Sequence, residues 1–499
     1  MNNPVNLVER LQQSAEAFPE AVPLIYLADG ETDEQPLSYH AFDQAARRVA
    51  AALQQKELEG QRILLLFPQG LEYLIALFGC FYAGVIAVPA YPPRNNRNLL
   101  RLNAIIANCG AEYILTDQST ADHMERLKQD FSAFSFLVYE TLSAKAEVWQ
   151  PREVKGDDIA YLQYTSGSTG DPKGVVITHT NIVENTKALK ETYAPYEVDT
   201  MVSWIPMYHD MGLMSILTAL SLGKEGSIYF MSPVHFVQKP ARWLQAISRY
   251  KAQYSVAPNF AFDLCCSKIP EADREGLDLS SLVCVTNGSE RVRLSTMLNF
   301  HRTFAAHGFS FDAFCPGYGM AEATLGVSLT SAGEPVSIAA KEEEQPKRLR
   351  IGQDINGIED PESYWVGCGH VVNGAEVRIV DPETHSAVPD GREGEVWVHH
   401  EGFIAKRYWN HPEASKATFD NYLDAEPGRR YLATGDLGFL LEGQLFITGR
   451  IKDMIIIRGR NYYPEDIELA VANAHEALEQ NACAAFSLEV DGAEQLAIV

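Results

Sequence analysis

The chain has 499 residues, with 41 Lys and Arg against 66 Asp and Glu, and its formal net charge is −25. At 46% hydrophobic and 21% charged residues it can bury a large core, which excludes a disordered or low-complexity protein. The negative charge argues against nucleic acid as a partner, because a phosphate backbone would be repelled. The eight cysteines form no CxxC pair, so we expect reduced thiols in a cytoplasmic enzyme rather than a zinc site or disulfides.

The N-terminal part predicts helices that alternate with strands. Asn6 and Ser38 are expected to begin two amphipathic helices, and apolar runs at 62–67, 85–88 and 113–116 predict buried parallel strands. Helices are expected between them, at 71–82 and 100–107. The uncharged stretch 73–90 is long enough to span a membrane, but Gly84 and Pro89 interrupt it. We therefore predict a buried helix and a buried strand there, and no transmembrane segment.

The alternation continues with predicted strands at 159–163, 201–205, 226–230, 254–257 and 282–286. This order indicates an α/β fold, with helices on both faces of largely parallel, layered sheets. Residues 333–368, the inserted segment, are charged and weakly periodic, which indicates a surface insertion or a long loop. Short strands at 376–380, 393–399 and 444–448 then predict a small β-rich subdomain.

These patterns predict a domain organisation in two parts. A large N-terminal domain is expected to cover 1–450 and to contain the inserted segment. The beginning of a small, mobile α+β C-terminal domain is expected at 451–499.

The most informative segment is YTSGSTGDPKG, at 164–174, which follows a predicted strand. Glycines let several backbone N–H groups converge on an anion, hydroxyls add donors, and Lys173 adds a positive charge. The spacing differs from the GxxxxGK[ST] phosphate loop, and a flexible linker would not lie between two apolar segments. The loop residues expected to bind phosphates are Thr165, Ser166, Gly167, Ser168, Thr169, Gly170 and Lys173.

The loop resembles the signature of the adenylate-forming enzyme superfamily, which includes acyl-CoA synthetases, luciferases and adenylation domains. Further motifs follow in the order of that family: WIPMYHDMGLM (204–214), VTNGSE (285–290), PGYGMAEAT (316–324), GEVWV (394–398), YLATGDLG (431–438) and GRIKDMIIIRGRNYYPEDIE (449–468). The resemblance implies that a carboxylate attacks the α-phosphate of ATP, with Mg²⁺ assisting, and that pyrophosphate leaves.

The resemblance also assigns roles to single residues. Glu322 is expected to bind Mg²⁺, His209 to border the carboxylate and the α-phosphate, and Asp453 to serve as the hinge of the C-terminal domain. Without the flanking motifs, Glu322 would be interpreted as a surface carboxylate and His209 as a structural residue. Asp436 is expected to bind the ribose, although an Asp after Thr-Gly often forms a turn. The other expected adenylate-binding residues are Asn287, Gly288, Ser289, Glu290, Gly317, Tyr318, Gly319, Met320, Ala321, Thr324 and Arg450, and the expected acyl-pocket residues are Met211, Gly212 and Leu213.

Within the superfamily the chain resembles the fatty acyl-AMP ligases, through YLQYTSGSTG, RIKDMIIIRGRNYYPEDIE and the inserted segment. In that branch the insertion packs on the large domain and limits the rotation needed for transfer to CoA. The resemblance implies a fatty acid as substrate and an acyl carrier protein as partner. Lys452, Arg458 and Arg460 are candidates for contacts with an acidic carrier, or are simply solvated charges.

One expected feature does not occur before Val499. The family uses a lysine on a late C-terminal loop, within a PxTxSGK-like segment, and the sequence ends before any such segment. We therefore expect a piece of a longer protein that binds adenylate with weak adenylation by itself. The alternatives left open are a fatty acyl-CoA synthetase, a regulatory protein that binds adenylate without turnover and, less favoured, an amino-acid adenylation domain.

Overall fold

A computed structural model describes residues 6–93, 99–127, 131–165, 172–193, 199–221, 226–341, 347–351, 358–457, 460–474, 483–490 and 493–499. The elements of the first part are α1 (Leu7–Ala17), β1 (Leu24–Leu27), β2 (Glu34–Leu37), α2 (Tyr39–Gln54), β3 (Arg62–Leu66), α3 (Leu71–Ala83), β4 (Ile86–Pro89), α4 (Leu99–Cys109), β5 (Tyr113–Thr116), α5 (Gln118–Glu125), β6 (Ser135–Val138), β7 (Ile159–Tyr164), β8 (Gly174–Thr178) and α6 (His179–Tyr193).

The elements of the middle part are β9 (Thr200–Ser203), α7 (Asp210–Ser221), β10 (Ser227–Met231), α8 (Pro233–Gln238), α9 (Ala241–Tyr250), β11 (Tyr254–Ala257), α10 (Asn259–Lys268), α11 (Glu271–Arg274), β12 (Cys284–Asn287), α12 (Leu294–Phe304), β13 (Phe314–Gly319) and β14 (Gly326–Leu329).

The last part contains β15 (Val336–Ala340), β16 (Arg348–Ile351), β17 (Tyr364–Val371), β18 (Glu376–Val380), β19 (Gly394–His399), α13 (Pro412–Phe419), β20 (Asn421–Leu423), β21 (Glu426–Leu441), β22 (Gln444–Arg450), β23 (Ile455–Ile457), β24 (Arg460–Tyr462), α14 (Pro464–Asn473), β25 (Ala485–Val490) and β26 (Ala493–Ile498).

Two large sheets with helices between and around them confirm the predicted α/β class. The first sheet has the order β6-β5-β3-β4-β7-β8, and its strands are parallel except for the edge strand β8. The second sheet has 16 strands and runs from β18 and β19, through β13, β12, β11, β9 and β10, to β1 and β2. Its central strands, from β10 to β13, are parallel. The main hydrophobic core lies between these layers.

The stretch 73–90 forms a buried helix followed by a buried strand, as predicted. Helix α3 is buried around nearly its whole circumference, which is typical of a helix inside a large core. It ends at Gly84, which has a left-handed φ of 68°, and β4 continues in the centre of the first sheet. In the described part of the chain, no helix combines the length and the apolar character that a membrane span requires.

The two predicted N-caps are confirmed. The Asn6 side chain accepts a hydrogen bond from the Glu9 backbone N–H, and Ser38 accepts one from the Ala41 N–H. Both contacts satisfy backbone donors that the first turn of a helix leaves unpaired.

The last part of the chain differs from the predictions in two respects. The described parts of the inserted segment form β15, β16 and β17 rather than a loop, and Val336, Ile338 and Ala339 are buried. Strand β21 was not predicted, because its motif combines small and polar residues without regular alternation. The predicted β-rich region is present, and it continues the large sheet because β17 pairs with β14 and β22.

The junction between β14 and β17 depends on Gly369. This residue has a φ of 82°, and a Cβ atom built on it would lie 1.9 Å from the carbonyl carbon of Leu329. The ladder between β17 and β22 shifts register at the same place, between Gly367 and His370. A side chain here would therefore push the β-rich region away from β14.

We predict that Gly369→Ala lowers the apparent Tm more than Gly276→Ala does. Gly276 has a similar φ of 79° but nothing within 4 Å of its hypothetical Cβ, so it serves as the matched control. Both variants carry a left-handed alanine, which costs about 1–2 kcal/mol, and only the first adds a backbone clash. Differential scanning fluorimetry should show a difference on the order of 3 °C. Equal losses would contradict the close approach at Gly369.

Candidate active site

One cavity of about 970 Å³ lies where β12, β13, β21 and β22 meet α7 and the hairpin of β7 and β8. The expected site residues that line it come from six separate motifs. They are Thr165, Lys173, His209, Met211, Gly288, Ser289, Gly317, Tyr318, Gly319, Met320, Ala321, Glu322, Asp436 and Arg450. The fold therefore brings together residues that are up to 285 positions apart, from Thr165 to Arg450.

Three residues expected to contact the adenylate are not part of the cavity lining. Asn287 is fully buried and donates its side-chain amide to Asn259, 3.1 Å away. The Glu290 carboxylate accepts a hydrogen bond from the Phe260 backbone N–H, and the Thr324 hydroxyl donates to the Phe403 carbonyl. The buried side chains of Asn287 and Thr324 therefore support the wall, whereas Glu290 is exposed and lies outside the lining.

Of the three expected acyl-pocket residues, only Met211 lines the cavity. Leu213 is fully buried in the core, and Gly212 lies against the backbone of Pro206. The helix period explains the difference, because successive residues of a helix point about 100° apart. Asp453 lies in the turn that follows β22, and its role as a hinge stays a prediction.

The phosphate loop closes a β-hairpin. Strands β7 and β8 are antiparallel, with Tyr164 opposite Gly174, and the Thr165 N–H donates to the Lys173 carbonyl at 3.2 Å. Both ends of the loop are thereby fixed at the cavity. Residues Ser166, Gly167, Ser168, Thr169 and Gly170 lie outside the described residues.

Glu322 is a buried carboxylate, with 7% of its surface exposed. The Tyr408 hydroxyl donates to its Oε1 at 2.6 Å, and none of the described cations forms an ion pair with it. Burial raises the pKa of Glu322, and the charges of Asp210 and Asp436 raise it further, whereas the Tyr408 hydrogen bond opposes this. A carboxylate in this position suits a hard divalent cation, which would compensate the buried charge.

Lys173 and Glu322 are linked through one aromatic ring. The Lys173 ammonium lies 5.3 Å from the centroid of the Tyr408 ring, whose hydroxyl binds Glu322. Sequence reasoning missed Tyr408, because it lies 86 residues from Glu322 in a segment without a recognised motif. It also missed Gln163, on β7, and Glu395, on β19, which line the same cavity.

Asp436 lies within β21, not in a free turn, and is 6% exposed. The Tyr318 hydroxyl donates to its Oδ2 at 2.6 Å, and Arg450 Nε lies 3.0 Å from its Oδ1. Burial raises the pKa of Asp436, although Arg450 and Tyr318 counteract the effect. Tyr318 can occupy this place because Gly319 beside it has no Cβ, which would lie 2.0 Å from the Leu325 carbonyl oxygen.

His209 stands at the beginning of α7, half exposed to the cavity, with its Nδ1 2.8 Å from Asp210 Oδ1. Burial lowers the pKa of His209, but the hydrogen bond and charge of Asp210 outweigh it, so the net shift is upward. Arg101, which also lines the cavity, opposes this shift. Asp210 therefore favours a positively charged imidazolium at the place where an anionic substrate would enter.

Lys173, at the base of a β-hairpin, lies in the same cavity as the buried carboxylates Glu322 and Asp436, an arrangement that agrees with an adenylate-forming enzyme. The chain belongs to the AMP-binding enzyme family, whose model matches residues 11–409. The expected superfamily is thereby confirmed.

Relatives and solved structures agree with this assignment. The chain is 41% identical to a medium-chain-fatty-acid–[acyl-carrier-protein] ligase of Moorena producens, over 95% of this chain and 81% of the relative. It is 37% identical to a long-chain-fatty-acid–AMP ligase of Mycolicibacterium smegmatis, over 91% and 74% of the two chains. The crystal structure of a fatty acyl-adenylate ligase from L. pneumophila, in complex with acyl adenylate and pyrophosphate, superimposes with a TM-score of 0.82. That protein is 37% identical, and the match covers 99% of this chain and 86% of the other.

We predict that Asp210→Asn lowers the pKa of His209. The neutral amide removes the charge that stabilises the imidazolium, while burial and Arg101, which both lower the pKa, remain. At neutral pH the protonated fraction of His209 should therefore fall. The Hε1 chemical shift of His209, followed by NMR over a pH titration, measures this directly. Asp199→Asn, which removes a carboxylate elsewhere on the cavity wall, is the control, and an unchanged titration in Asp210→Asn would contradict the ion pair.

Proposed function

We propose that this protein is a fatty acyl-AMP ligase. It activates a fatty acid with Mg-ATP to an acyl adenylate, releases pyrophosphate and passes the acyl group to the phosphopantetheine thiol of an acyl carrier protein. The observation that carries this proposal is the composition of the cavity wall. It combines the charged side chains of Lys173, Glu322 and Asp436 with apolar side chains such as Met201 and Ile228. The names of the two relatives support the fatty acid and the carrier protein.

The charged residues of the cavity can bind the separate parts of a nucleotide. Asp436 accepts hydrogen bonds from the ribose hydroxyls, after rearrangement of its contacts with Tyr318 and Arg450. Lys173 and the hairpin loop hold the departing phosphates, and Glu322 holds Mg²⁺. Mg²⁺, when bound there, would supply positive charge that neutralises the phosphates during attack of the fatty acid carboxylate on the α-phosphorus.

The imidazolium of His209 completes the site on the substrate side. It attracts the fatty acid carboxylate and orients it toward the α-phosphate. The cavity beyond Met211 then receives the alkyl chain, which burial removes from water.

Two further features agree with this function. All eight cysteines are free, which supports a reducing cytoplasm as the location. Lys452, at the rim of the cavity, is exposed and available to an acidic carrier, whereas Arg458 lies outside the described residues. For Arg460 only the backbone is described, so its contact with a carrier stays a prediction.

The decisive experiment is product analysis by mass spectrometry. The full-length protein, including any residues that follow Val499, is supplied with a medium-chain fatty acid, Mg-ATP, CoA and holo carrier protein together. We expect acyl adenylate and acylated carrier protein, with little acyl-CoA. Apo carrier protein, which lacks the phosphopantetheine thiol, is the control and should remain unmodified.

Other outcomes favour the remaining alternatives. Acyl-CoA as the main product would replace the proposal with an acyl-CoA synthetase. Nucleotide binding without exchange of labelled pyrophosphate into ATP would instead indicate a regulatory adenylate-binding protein.

We further predict that Tyr408→Phe shifts the acid limb of adenylate formation to higher pH. The Tyr408 hydroxyl lowers the pKa of Glu322, so its removal raises that pKa, and the carboxylate then ionises only at higher pH. Because a hydrogen bond to a charged group contributes about 1.5–3 kcal/mol, the rate on the acid side should fall about tenfold or more. Pyrophosphate release measured across pH tests this.

Tyr422→Phe is the matched control. Its hydroxyl also donates to a carboxylate, that of Asp420 at 2.8 Å, but Tyr422 is exposed and does not line the cavity. If the pH profile shifts equally in both variants, or in neither, the Tyr408 hydroxyl does not control the ionisation of Glu322.

A further inference from the structure

The GEVWV motif of β19 has no role in the proposed reaction so far, although its Glu395 lies in the wall of the cavity. Each oxygen of the Glu395 carboxylate accepts a hydrogen bond from the protein. Oε1 accepts from the Gly435 backbone N–H at 2.9 Å, and Oε2 accepts from the Trp397 indole N–H at 2.8 Å. These two contacts indicate that Glu395 acts on the protein around it rather than on a ligand.

Gly435 belongs to a β-bulge between β19 and β21. Glu395 lies opposite Leu437. Two residues further along β19, Trp397 lies opposite Ala433, so the register shifts between the two pairs. One residue of β19 therefore faces three residues of β21, which are Thr434, Gly435 and Asp436. Extra residues of this kind lose their regular partners in the sheet, and bulges are frequent beside active sites because they redirect a side chain.

Side chains hold this bulge in place. The Thr434 hydroxyl donates to the Val396 carbonyl at 2.7 Å and accepts from the Asp436 N–H at 3.0 Å. Glu395 accepts from the remaining residue, Gly435, whose φ of 75° is typical of a bulge. Asp436, the third residue of the bulge, lies in the wall of the cavity.

The Glu395 carboxylate is itself held by a packed side chain. The Trp397 ring is 2% exposed and packs in a hydrophobic cluster with Val380, Leu423 and Tyr431. Its indole N–H therefore holds Oε2 in place, so that Oε1 is directed toward the bulge. An ionised carboxylate suits this task, because its hydrogen bonds are stronger than those between neutral groups.

We propose that Glu395 is a positioning residue for the carboxylate of Asp436. By binding the Gly435 N–H, it keeps the bulge in the geometry that presents Asp436 to the ribose hydroxyls of the nucleotide. A carboxylate that is already in place does not have to be ordered when the nucleotide binds. Loss of the Glu395 contact therefore weakens nucleotide binding, although Glu395 does not touch the nucleotide. The inference rests on the proposed function, which assigns the ribose to Asp436.

Binding of two nucleotides tests the inference without catalysis. Isothermal titration calorimetry with the full-length protein compares Mg-ATP with the Mg complex of dideoxy-ATP, which lacks both ribose hydroxyls. In Glu395→Ala the affinity for ATP should fall about tenfold, because a hydrogen bond to a charged group is lost. The affinity for dideoxy-ATP should change little, because that nucleotide has no hydroxyls for Asp436. A general loosening of the fold would weaken the binding of both nucleotides equally.

A double-mutant cycle distinguishes positioning from direct contact. Once Asp436 is replaced by alanine, Glu395→Ala should cost no further ATP affinity, because no carboxylate is left to position. Thr434→Val, which removes the other side-chain contact of the bulge and keeps the side-chain shape, should cause the same selective loss for ATP.

Two further variants complete the series. Glu395→Gln serves if Glu395→Ala does not fold, and it should show the selective loss to a smaller extent, because an amide has one acceptor oxygen instead of two. Glu376→Ala is the control, since this carboxylate lies on the neighbouring strand β18, forms ion pairs and does not line the cavity. It should leave both affinities unchanged.

The outcomes separate this inference from the proposed function. If Asp436→Ala selectively weakens ATP binding but Glu395→Ala behaves as Glu376→Ala does, the inference is wrong while the ribose assignment stands. Equal losses for the two nucleotides in Glu395→Ala, or a further loss in the Asp436→Ala background, would also overturn it. If Asp436→Ala binds ATP as tightly as the unaltered protein, the proposed role of Asp436 itself fails, and the inference fails with it.

Discussion

Burial of two carboxylates in one cavity wall is the constraint on which the site depends. Glu322 and Asp436 are each less than 8% exposed, and the charge of Asp436 raises the pKa of Glu322. Such charges are unfavourable in a protein interior unless hydrogen bonds or cations compensate them. The protein provides hydrogen bonds from Tyr408 and Tyr318 and one cation, Arg450, for Asp436. Glu322 has no comparable cation among the described residues, so the Tyr408 hydrogen bond is the side-chain contact that compensates its charge there.

The contacts of Asp436 depend on the order of strands in the large sheet. Asp436 lies opposite Arg450 where β21 pairs with β22, and Tyr318 reaches it from the end of β13. These strands belong to one sheet only because β14 and β17 join the parallel part to the antiparallel part. The close packing at Gly369 therefore supports the cavity corner formed by Asp436, Tyr318 and Arg450 as well as a strand junction. A shift of β17 would change the distance between the Tyr318 hydroxyl and its carboxylate.

Local sequence patterns predicted most of the helices and strands. They predicted residues of the site but not the hydrogen-bond partners of those residues. The caps at Asn6 and Ser38 and the break at Gly84 are short-range signals, and the structure confirms all three. Motif order identified Glu322 and Asp436, but their partners come from distant segments, and no spacing predicts that Tyr408 reaches Glu322. The sequence also does not predict which side chains of a motif point into the cavity. Neighbours within a motif point in different directions, so three of the six residues of VTNGSE and three of the five residues of HDMGL line the cavity and the others do not.

The inserted segment contacts the C-terminal part of the chain at the Asp466 carboxylate and at the neighbouring Tyr463 ring, which packs on Trp365. Asp466, on α14, accepts hydrogen bonds from Arg291 at 2.7 Å and from Lys341 at 3.0 Å, and both cations lie over the Trp365 ring. Burial alone would raise the pKa of Asp466, but the two cations outweigh it and lower the pKa, so the carboxylate stays charged at neutral pH. Lys341 and Trp365 belong to the inserted segment, whereas Arg291 directly follows the adenylate motif. Rotation of α14 away from this surface would have to separate both ion pairs and leave Arg291, whose side chain is 8% exposed, without its counter-charge. Charge pairing through Lys341 and Arg291, beside the Trp365 ring, thus holds α14 against the inserted segment, which is the contact that the predicted rotation would have to break.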